Sequence, residues 1–147
     1  MTVRVQAEPF DAGAELSAFS SGTGSDVGAI VSFTGLVREV AGGLKTMQIE
    51  HYPAMTERAL NTIVDDAMGR WALTDVLVIH RHGTLHAGDT IMMVATASKH
   101  RADAFAAADF LMDYLKSRAP FWKKETTGTG GAWVEGKDAD EDALQRW

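Results

Sequence analysis

The first part of the chain shows two strand patterns and one short helical pattern. Thr2–Gln6 alternates between apolar and polar residues, which predicts a short strand. Asp11 is suited to cap a brief helix that ends near Phe19, and the turn-rich stretch at 20–26 predicts a flexible loop after it. Gly28–Val37 is rich in β-branched and aromatic residues and therefore predicts a buried strand.

The middle of the chain alternates between strand and helix patterns. Met47–Tyr52 predicts a strand that follows the preceding one across an Ala41-Gly42-Gly43 turn. Apolar residues then recur at helical spacing from Pro53 to about Trp71. Asp75–His80 and Thr90–Ala97 predict two further strands, joined by a glycine-containing turn segment.

The longest helical pattern is Arg101–Arg118, which carries its apolar residues on one face and has to stop at Pro120. This stop places Lys116 in the last helical turn and Lys123 in an irregular segment beyond it. Thr126–Gly131 reads TTGTGG and predicts a flexible loop. Strands separated by helices, with hairpin-like pairs, predict an α+β fold with a mixed or mainly antiparallel sheet.

Length and composition are those of an ordinary globular chain. At 147 residues, with 46% hydrophobic and 23% charged residues, the chain fits a single domain over 1–147. It contains no cysteine, which excludes disulfides and a cysteine nucleophile and fits a reducing compartment. The sequence shows no signal-peptide core and no run of roughly 20 apolar residues. We therefore expect a cytoplasmic protein with no membrane partner.

Positive charge is concentrated in one segment of an acidic chain. The formal net charge is −6, so binding of nucleic acid by the whole surface is disfavoured. Ser98–Lys124 nevertheless holds six Lys or Arg against three Asp, whereas Glu135–Trp147 holds five acidic residues against two basic ones. The basic segment predicts a site for a smaller anionic ligand.

Lys116 is the sharpest candidate for chemistry in this segment. Met112 lies one helical turn before it, which places the lysine stem at the border of the apolar face and predicts a half-buried amine. Burial and nearby cations lower a lysine pKa, so such an amine can act as a base, a proton donor or a nucleophile. The alternative is a lysine that complements the helix dipole and pairs with Asp113.

His100 and Arg101 lie at the start of the same helix, where free backbone N–H groups favour an anion. Arg38, at the end of its strand, can add a bidentate contact. The ends of an 18-residue helix lie about 27 Å apart, too far for one small ligand to reach both. Either the two ends serve different sites, or a symmetric dimer brings one subunit's helix start to the other's helix end.

Three histidines invite a metal interpretation. His80, His82 and His86 lie near a strand end, and histidine is the commonest metal ligand. No carboxylate falls at a diagnostic spacing and there is no HExxH or GxSxG motif, so ordinary hydrogen bonds are favoured. We therefore predict neither a metal nor a cofactor.

Six sequence pieces occur in an order that is typical of one protein family. They are VSFTGLVRE at 31–39, EHYPAMTE at 50–57, VIHRHG at 78–83, GD at 88–89, SKHR at 98–101 and FLMDYLKSRAPFWKKE at 110–125. In these pieces the chain resembles the large, catalytic subunit of molybdopterin synthase. The resemblance covers most of the chain, and its last piece is highly specific.

The resemblance implies an α+β fold of the α/β-hammerhead type with an additional antiparallel β-sheet. It also implies a central homodimer that carries a small ubiquitin-like sulfur-carrier subunit on each side, the carrier ending in a Gly-Gly thiocarboxylate. The implied reaction transfers two sulfurs, from successive carriers, to cyclic pyranopterin monophosphate and forms the dithiolene of molybdopterin. A protein without cysteine can handle sulfur in this way.

The resemblance also assigns roles to individual residues. Lys116 and Lys123 match a catalytic pair, with Lys116 near the thiocarboxylate and Lys123 toward the pterin. Both also match substrate-binding positions, together with Leu36, Val37, Arg38, His100, Arg101, Lys124 and Glu125, and the matching pocket-lining positions are Phe33 and Met112.

Two functions of other classes remain open at this point. One is a non-catalytic adaptor whose basic groove captures an acidic or C-terminal peptide. The other is a phosphoesterase or similar small-molecule enzyme that uses His80 and His82.

Overall fold

The computed structural model describes residues 1–147, which form eight strands and four α-helices. In chain order these are β1 (Thr2–Gln6), α1 (Ala12–Ser21), β2 (Ala29–Leu36), β3 (Leu44–His51), α2 (Pro53–Arg70), β4 (Leu73–Arg81), β5 (Gly83–Leu85), β6 (Thr90–Ser98), α3 (Arg101–Ser117), β7 (Phe121–Thr127), β8 (Gly130–Trp133) and α4 (Asp138–Ala143), followed by a 3₁₀ turn (Leu144–Arg146). None of the helices has the length and apolar character needed to cross a membrane.

The strands form two four-stranded sheets. The first has the order β1-β4-β6-β2 and is mixed, because β1 and β4 run parallel while the other pairs are antiparallel. The second has the order β5-β3-β7-β8 and is antiparallel throughout. The predicted α+β class and the additional antiparallel sheet are therefore confirmed.

The central strands of the first sheet are buried on both faces, as their continuous apolar runs require. Val76 and Val78 of β4 face the larger core, which α2 and α3 cover, whereas Leu77 and Ile79 face a smaller core under α1. The second sheet joins the larger core through residues such as Ile49 of β3. One face of the first sheet thus supports the two long helices and the second sheet.

Helix α3 runs back along the first sheet from the end of β6. It packs on β6 and β2, so its N-terminus lies beside the Ala29–Ser98 pair and its C-terminus returns toward the pair formed by Gly35 and Met92. At 1.5 Å per residue its 17 residues span about 25 Å. The two ends of the basic segment therefore lie at opposite ends of the sheet.

Three local predictions are wrong. β2 and β3 do not pair across the Ala41-Gly42-Gly43 turn, because they belong to different sheets. The segment after Pro120 is the strand β7 and not irregular, since β3 supplies its hydrogen-bonding partner. Thr126–Gly131 is not a simple loop, since Thr126 pairs with Gly131 in the β7–β8 hairpin.

The acidic tail docks on the two long helices through its last residues. The Trp147 ring lies edge-on to Trp71 and Phe110, with centroids 5.6 Å apart in both cases. Its indole Nε1 donates to Asp113 Oδ2 at 2.6 Å, and Arg146 Nη2 donates to the same carboxylate at 2.7 Å. Aromatic packing and a shared carboxylate therefore hold the tail on α3.

Replacing Trp147 with alanine is expected to destabilise the fold by about 2 kcal/mol, because it removes a half-buried aromatic ring and the partner of Asp113. Urea unfolding followed by circular dichroism measures the change. The exposed Trp133→Ala serves as the matched control and is expected to stay within about 0.5 kcal/mol of the unmodified protein. Equal stability of the two variants would show that the docked tail contributes nothing.

Candidate active site

A pocket lies where α3 ends and β7 begins, between the two sheets, and both candidate lysines line it. Met92, Met112 and Leu115 give it an apolar wall. The complete lining consists of His80, Met92, Met112, Leu115, Lys116, Ala119, Phe121 and Lys123. We call this cavity the lysine pocket.

The passage from helix to strand brings the two lysines together. α3 closes with the Arg118 N–H donating to the Tyr114 carbonyl at 2.7 Å, and Pro120 prevents a further helical turn. The Phe121 N–H then donates to the Ala119 carbonyl at 2.8 Å, and β7 starts. The hydroxyl of Thr56, fully buried on α2, donates to the Pro120 carbonyl at 3.3 Å. The turn is thereby fixed against the core.

Alternation along β7 decides which side chains reach the pocket. Phe121, Lys123 and Glu125 share one face of the strand, whereas Trp122 and Lys124 point to the opposite face. Lys124 lies over the Trp133 ring, with its Nζ 5.7 Å from the ring centroid. The structure therefore separates Lys124 from the other two lysines, although all three are close in sequence.

Lys123, and not Lys116, is the partly buried amine of the pair. The prediction of a half-buried Lys116 is wrong, because that side chain is exposed in the last turn of α3. Burial lowers the pKa of Lys123 below its usual range, and the positive charge of Lys116 lowers it further. The carboxylates of Asp140 and Glu125 oppose this shift in the pKa. Asp140 belongs to α4, so the acidic tail also reaches this region.

His80 forms the wall opposite the helix. It is 6% exposed, and its ring stacks on Phe121 with centroids 3.8 Å apart and an interplanar angle of 15°. Its Nδ1 lies 2.8 Å from the Arg81 carbonyl oxygen. Burial lowers the pKa of His80 to about 3, so the imidazole is neutral at neutral pH.

The other histidines lie in different surroundings from His80. His82 packs against His51, with ring centroids 4.2 Å apart, and His51 lies 6.0 Å from the Phe121 ring. His86 is separate from them and lies beside Asp89 in an exposed turn. His80, His82 and His86 therefore do not converge as a ligand set.

The end of β2 lies at the same end of the first sheet as the lysine pocket. Gly35 pairs with Met92, which lines the pocket, and Leu36 is exposed at the strand end. Val37 is buried, and its carbonyl accepts from the Gly88 N–H at 2.7 Å. Gly88 has a φ of 89°, a conformation that favours glycine. This contact fixes the backbone from which the next residue, Arg38, emerges.

The remaining predicted residues lie elsewhere within the chain. His100 and Arg101 are exposed at the far end of α3, away from the lysine pocket. Phe33 lines a neighbouring groove on β2 and α3, and Met112 borders both that groove and the lysine pocket. Within one chain, Lys116, Lys123 and Met112 therefore line the same pocket, and Glu125 lies on the same strand face as Lys123. His100 and Arg101 are not part of this group.

The sequence does not identify five of the residues that line the pocket, which are His80, Met92, Leu115, Ala119 and Phe121. The sequence presents His80 as a candidate metal ligand and Met92 as a residue of the predicted strand Thr90–Ala97. A polar residue inside the apolar run of β4 is the signal that could have identified His80, because buried polar groups in such strands need a specific partner. Met92 and Phe121 carry no comparable signal.

The geometry suits an anionic group with an adjacent apolar surface. Two amines converge at one end of the cavity, and no carboxylate lines it. A negatively charged ligand would reduce the repulsion between the amines, and the apolar wall would exclude water from it. Amines in such a setting can transfer a proton or stabilise an oxyanion.

Comparisons with known proteins identify the family of this chain. The family model described as "MoaE protein" matches residues 5–118, which include Lys116 but end before Lys123. The molybdopterin synthase catalytic subunit of Cereibacter sphaeroides is 63% identical over 147 residues and covers 100% of both chains.

Two solved structures show the same fold. The molybdopterin biosynthesis MoaE protein from Burkholderia ambifaria has a TM-score of 0.85 and 47% identity, covering 99% of this chain and 97% of its own. The molybdopterin synthase from Staphylococcus aureus has a TM-score of 0.81 and 29% identity, covering 90% and 96%. The chain therefore belongs to the MoaE protein family.

Proposed function

We propose that this protein transfers sulfur from the C-terminal thiocarboxylate of a small carrier subunit to cyclic pyranopterin monophosphate in the cytoplasm. The product is the dithiolene of molybdopterin, an intermediate of molybdenum cofactor biosynthesis. The observation that carries this proposal is the convergence of Lys116 and Lys123 on one pocket with an apolar wall, in a member of the MoaE family. The high identity to a catalytic subunit over the whole chain supports the same activity.

Each lysine has a distinct role in this proposal. The exposed Lys116 meets the incoming thiocarboxylate at the pocket mouth. After the sulfur has bonded to a pterin carbon, water adds to the acyl carbon and Lys116 stabilises the resulting oxyanion; the acyl C–S bond then breaks, the sulfur stays on the pterin and the carrier leaves as a carboxylate. The partly buried Lys123 acts on the pterin, since its lowered pKa favours proton exchange near neutral pH. Arg38 and the backbone at Leu36 and Val37 contact the substrate from the β2 end.

A homodimer completes the site in this proposal. His100 and Arg101, which match substrate-binding positions, lie about 25 Å from Lys116 in the same chain, so one small substrate cannot reach both groups within a single subunit. A two-fold axis that places one α3 start beside the other α3 end would bring these groups together. The carrier's glycine-rich tail would enter in an extended form, because glycine allows close backbone approach.

Reconstitution tests the activity and the two lysine roles. The purified protein is incubated with a thiocarboxylated carrier and the pterin precursor, and dithiolene formation and carrier consumption are both measured. Lys116→Ala is expected to reduce product formation by about 10²- to 10⁴-fold. Lys123→Ala is expected to bind the carrier normally and to fail mainly in the pterin step.

Lys45→Ala is the matched control for these variants, because Lys45 is an exposed lysine of β3 that belongs to none of the predicted site residues. It is expected to keep activity within about threefold of the unmodified protein. Near-normal turnover by Lys116→Ala, or no dithiolene from the unmodified protein, would exclude the proposed function. Addition of a chelator is expected to leave the activity unchanged.

Replacing Lys123 with methionine is expected to stabilise the fold at neutral pH while removing activity. The folded-state pKa of Lys123 lies below 10.5, so the unfolded chain binds more protons between the two values and native stability rises with pH through that interval. Methionine removes this penalty, so we expect a gain of about 1 kcal/mol at pH 7 that shrinks toward pH 10.5.

Chemical denaturation across this pH range measures the effect. The exposed Lys124→Met serves as the control, and its stability difference from the unmodified protein is expected to show little dependence on pH. A Lys123→Met variant that is less stable than the unmodified protein at pH 7 would contradict the unfavourable burial of this amine.

Mixing two inactive variants tests the composite site. A chain carrying His100→Ala and Arg101→Ala and a chain carrying Lys116→Ala and Lys123→Ala are unfolded together, refolded and assayed. If each site takes groups from both subunits, half of the dimers are mixed and have one intact site, so about a quarter of normal activity returns. No recovery despite mixed dimers, identified by mass, would show that His100 and Arg101 of one subunit do not complete the lysine pocket of the other.

A further inference from the structure

His80 forms a rigid wall of the lysine pocket that the proposed function leaves unused. The imidazole lies flat on Phe121, which is two residues before Lys123 in β7. Because Phe121 and Lys123 share one face of the strand, the stack fixes the imidazole relative to the base of the Lys123 side chain. The ring is buried, so it has little freedom to reorient.

The hydrogen bond at one ring nitrogen determines the chemistry of the other. Nδ1 lies 2.8 Å from the Arg81 carbonyl oxygen, which can only accept, so Nδ1 carries the proton and donates it. In a neutral ring Nε2 is then unprotonated and can only accept. The burial that keeps the pKa of His80 at about 3 maintains this form at neutral pH.

The acceptor nitrogen of His80 is free. Nε2 makes no hydrogen bond. The fully buried side-chain N and O atoms that lack a partner are His51 Nδ1 and Ser117 Oγ, and His80 Nε2 is not one of them. Nε2 is therefore accessible, and the cavity that His80 lines is the lysine pocket. Among the charged groups near the ring, Lys123 acts on it more strongly than His51 or His82 does.

We propose that His80 is a positioning residue for Lys123: a change of the Lys123 rotamer brings its ammonium to the free His80 Nε2, where it donates a hydrogen bond and is held against the substrate. This inference rests on the proposed function, in which Lys123 acts on the pterin. A lysine side chain loses much rotamer freedom when it is fixed, and a rigid acceptor provides that constraint before the substrate binds.

A neutral acceptor also suits the charge of the pocket. A carboxylate at the His80 position would hold Lys123 equally well, but it would neutralise the positive potential that attracts an anion. The imidazole holds the amine without adding negative charge. Glu125 and Asp140, the acidic groups that act on Lys123, do not line the cavity.

Two substitutions separate the acceptor from the aromatic stack. His80→Phe keeps an aromatic ring against Phe121 and removes the acceptor, whereas His80→Gln provides an amide oxygen near the Nε2 position and removes the stack. We expect His80→Phe to lower kcat by about 10- to 100-fold with KM within about twofold, and His80→Gln to keep most of kcat. His86→Phe, on an exposed turn, is the matched control and is expected to remain fully active.

Two measurements that need no turnover accompany the kinetics. The pH dependence of Lys123 labelling by an amine-reactive reagent is followed by mass spectrometry, and its midpoint is expected to fall in His80→Phe but not in His80→Gln. Hydrogen bonding to the charged amine raises its pKa, so loss of the acceptor lowers it. In the unmodified protein, nitrogen NMR is expected to show the His80 tautomer protonated at Nδ1.

The positioning role would be overturned if His80→Phe had a normal kcat, or if His80→Phe and His80→Gln lost kcat equally. An effect on KM alone would overturn it as well. The Nε2-protonated tautomer in the unmodified protein would overturn it without any variant. If the unmodified protein forms no dithiolene, the proposed function fails, whereas the labelling and NMR results still decide whether His80 holds Lys123.

Discussion

The stacking of Phe121 on His80 joins the two sheets at the lysine pocket, and the geometry of the site depends on it. His80 lies near the end of β4, a central strand of the first sheet, and Phe121 is the first residue of β7 in the second sheet. Because Pro120 stops α3 just before β7, the chain must change from helix to strand within a few residues. The stack fixes the direction in which the strand leaves. Two lysines that share neither a helix face nor a strand thus reach one cavity.

Hydrophobic periodicity predicts the elements that the core surrounds, but it does not predict β7. The runs in β4 and β6 and the apolar face of α3 were recognisable, because burial of those residues requires them to be apolar. In β7 the face that includes Phe121 also carries Lys123 and Glu125, since it borders a polar pocket. The inward face of β7 is therefore mostly polar, whereas periodicity arguments expect the inward face of a strand to be apolar. The same cause explains why the sequence predicts an irregular segment around Lys123. The expectation of a buried Lys116 has a different origin, because it rests on Met112 one helical turn before it.

The family and its α+β fold could be predicted from the sequence, but strand pairing in space could not. The Ala41-Gly42-Gly43 turn correctly indicates a change of direction, with both glycines at positive φ. A turn signal is local, however, and it does not determine whether the next strand continues the same sheet. β3 pairs with β5 and β7, whose partner residues lie 34 or more positions later in the chain. Long-range contacts of this kind also place His80 in the site.

The charge arrangement of the lysine pocket is unfavourable for the folded chain by itself, and this property favours the binding of an anion. Lys116 repels Lys123, and burial removes part of the water that would otherwise stabilise the Lys123 ammonium. The nearby acidic groups compensate only partly, because the pKa of Lys123 remains lowered. An anion that enters the pocket relieves both the repulsion and the missing solvation. If nearby carboxylates fully neutralised the lysine charges, the folded chain would be more stable, but a thiocarboxylate or a phosphate would bind with a smaller gain in free energy. The segregation of basic residues into one segment of an acidic chain therefore has a thermodynamic consequence for binding as well as for the fold.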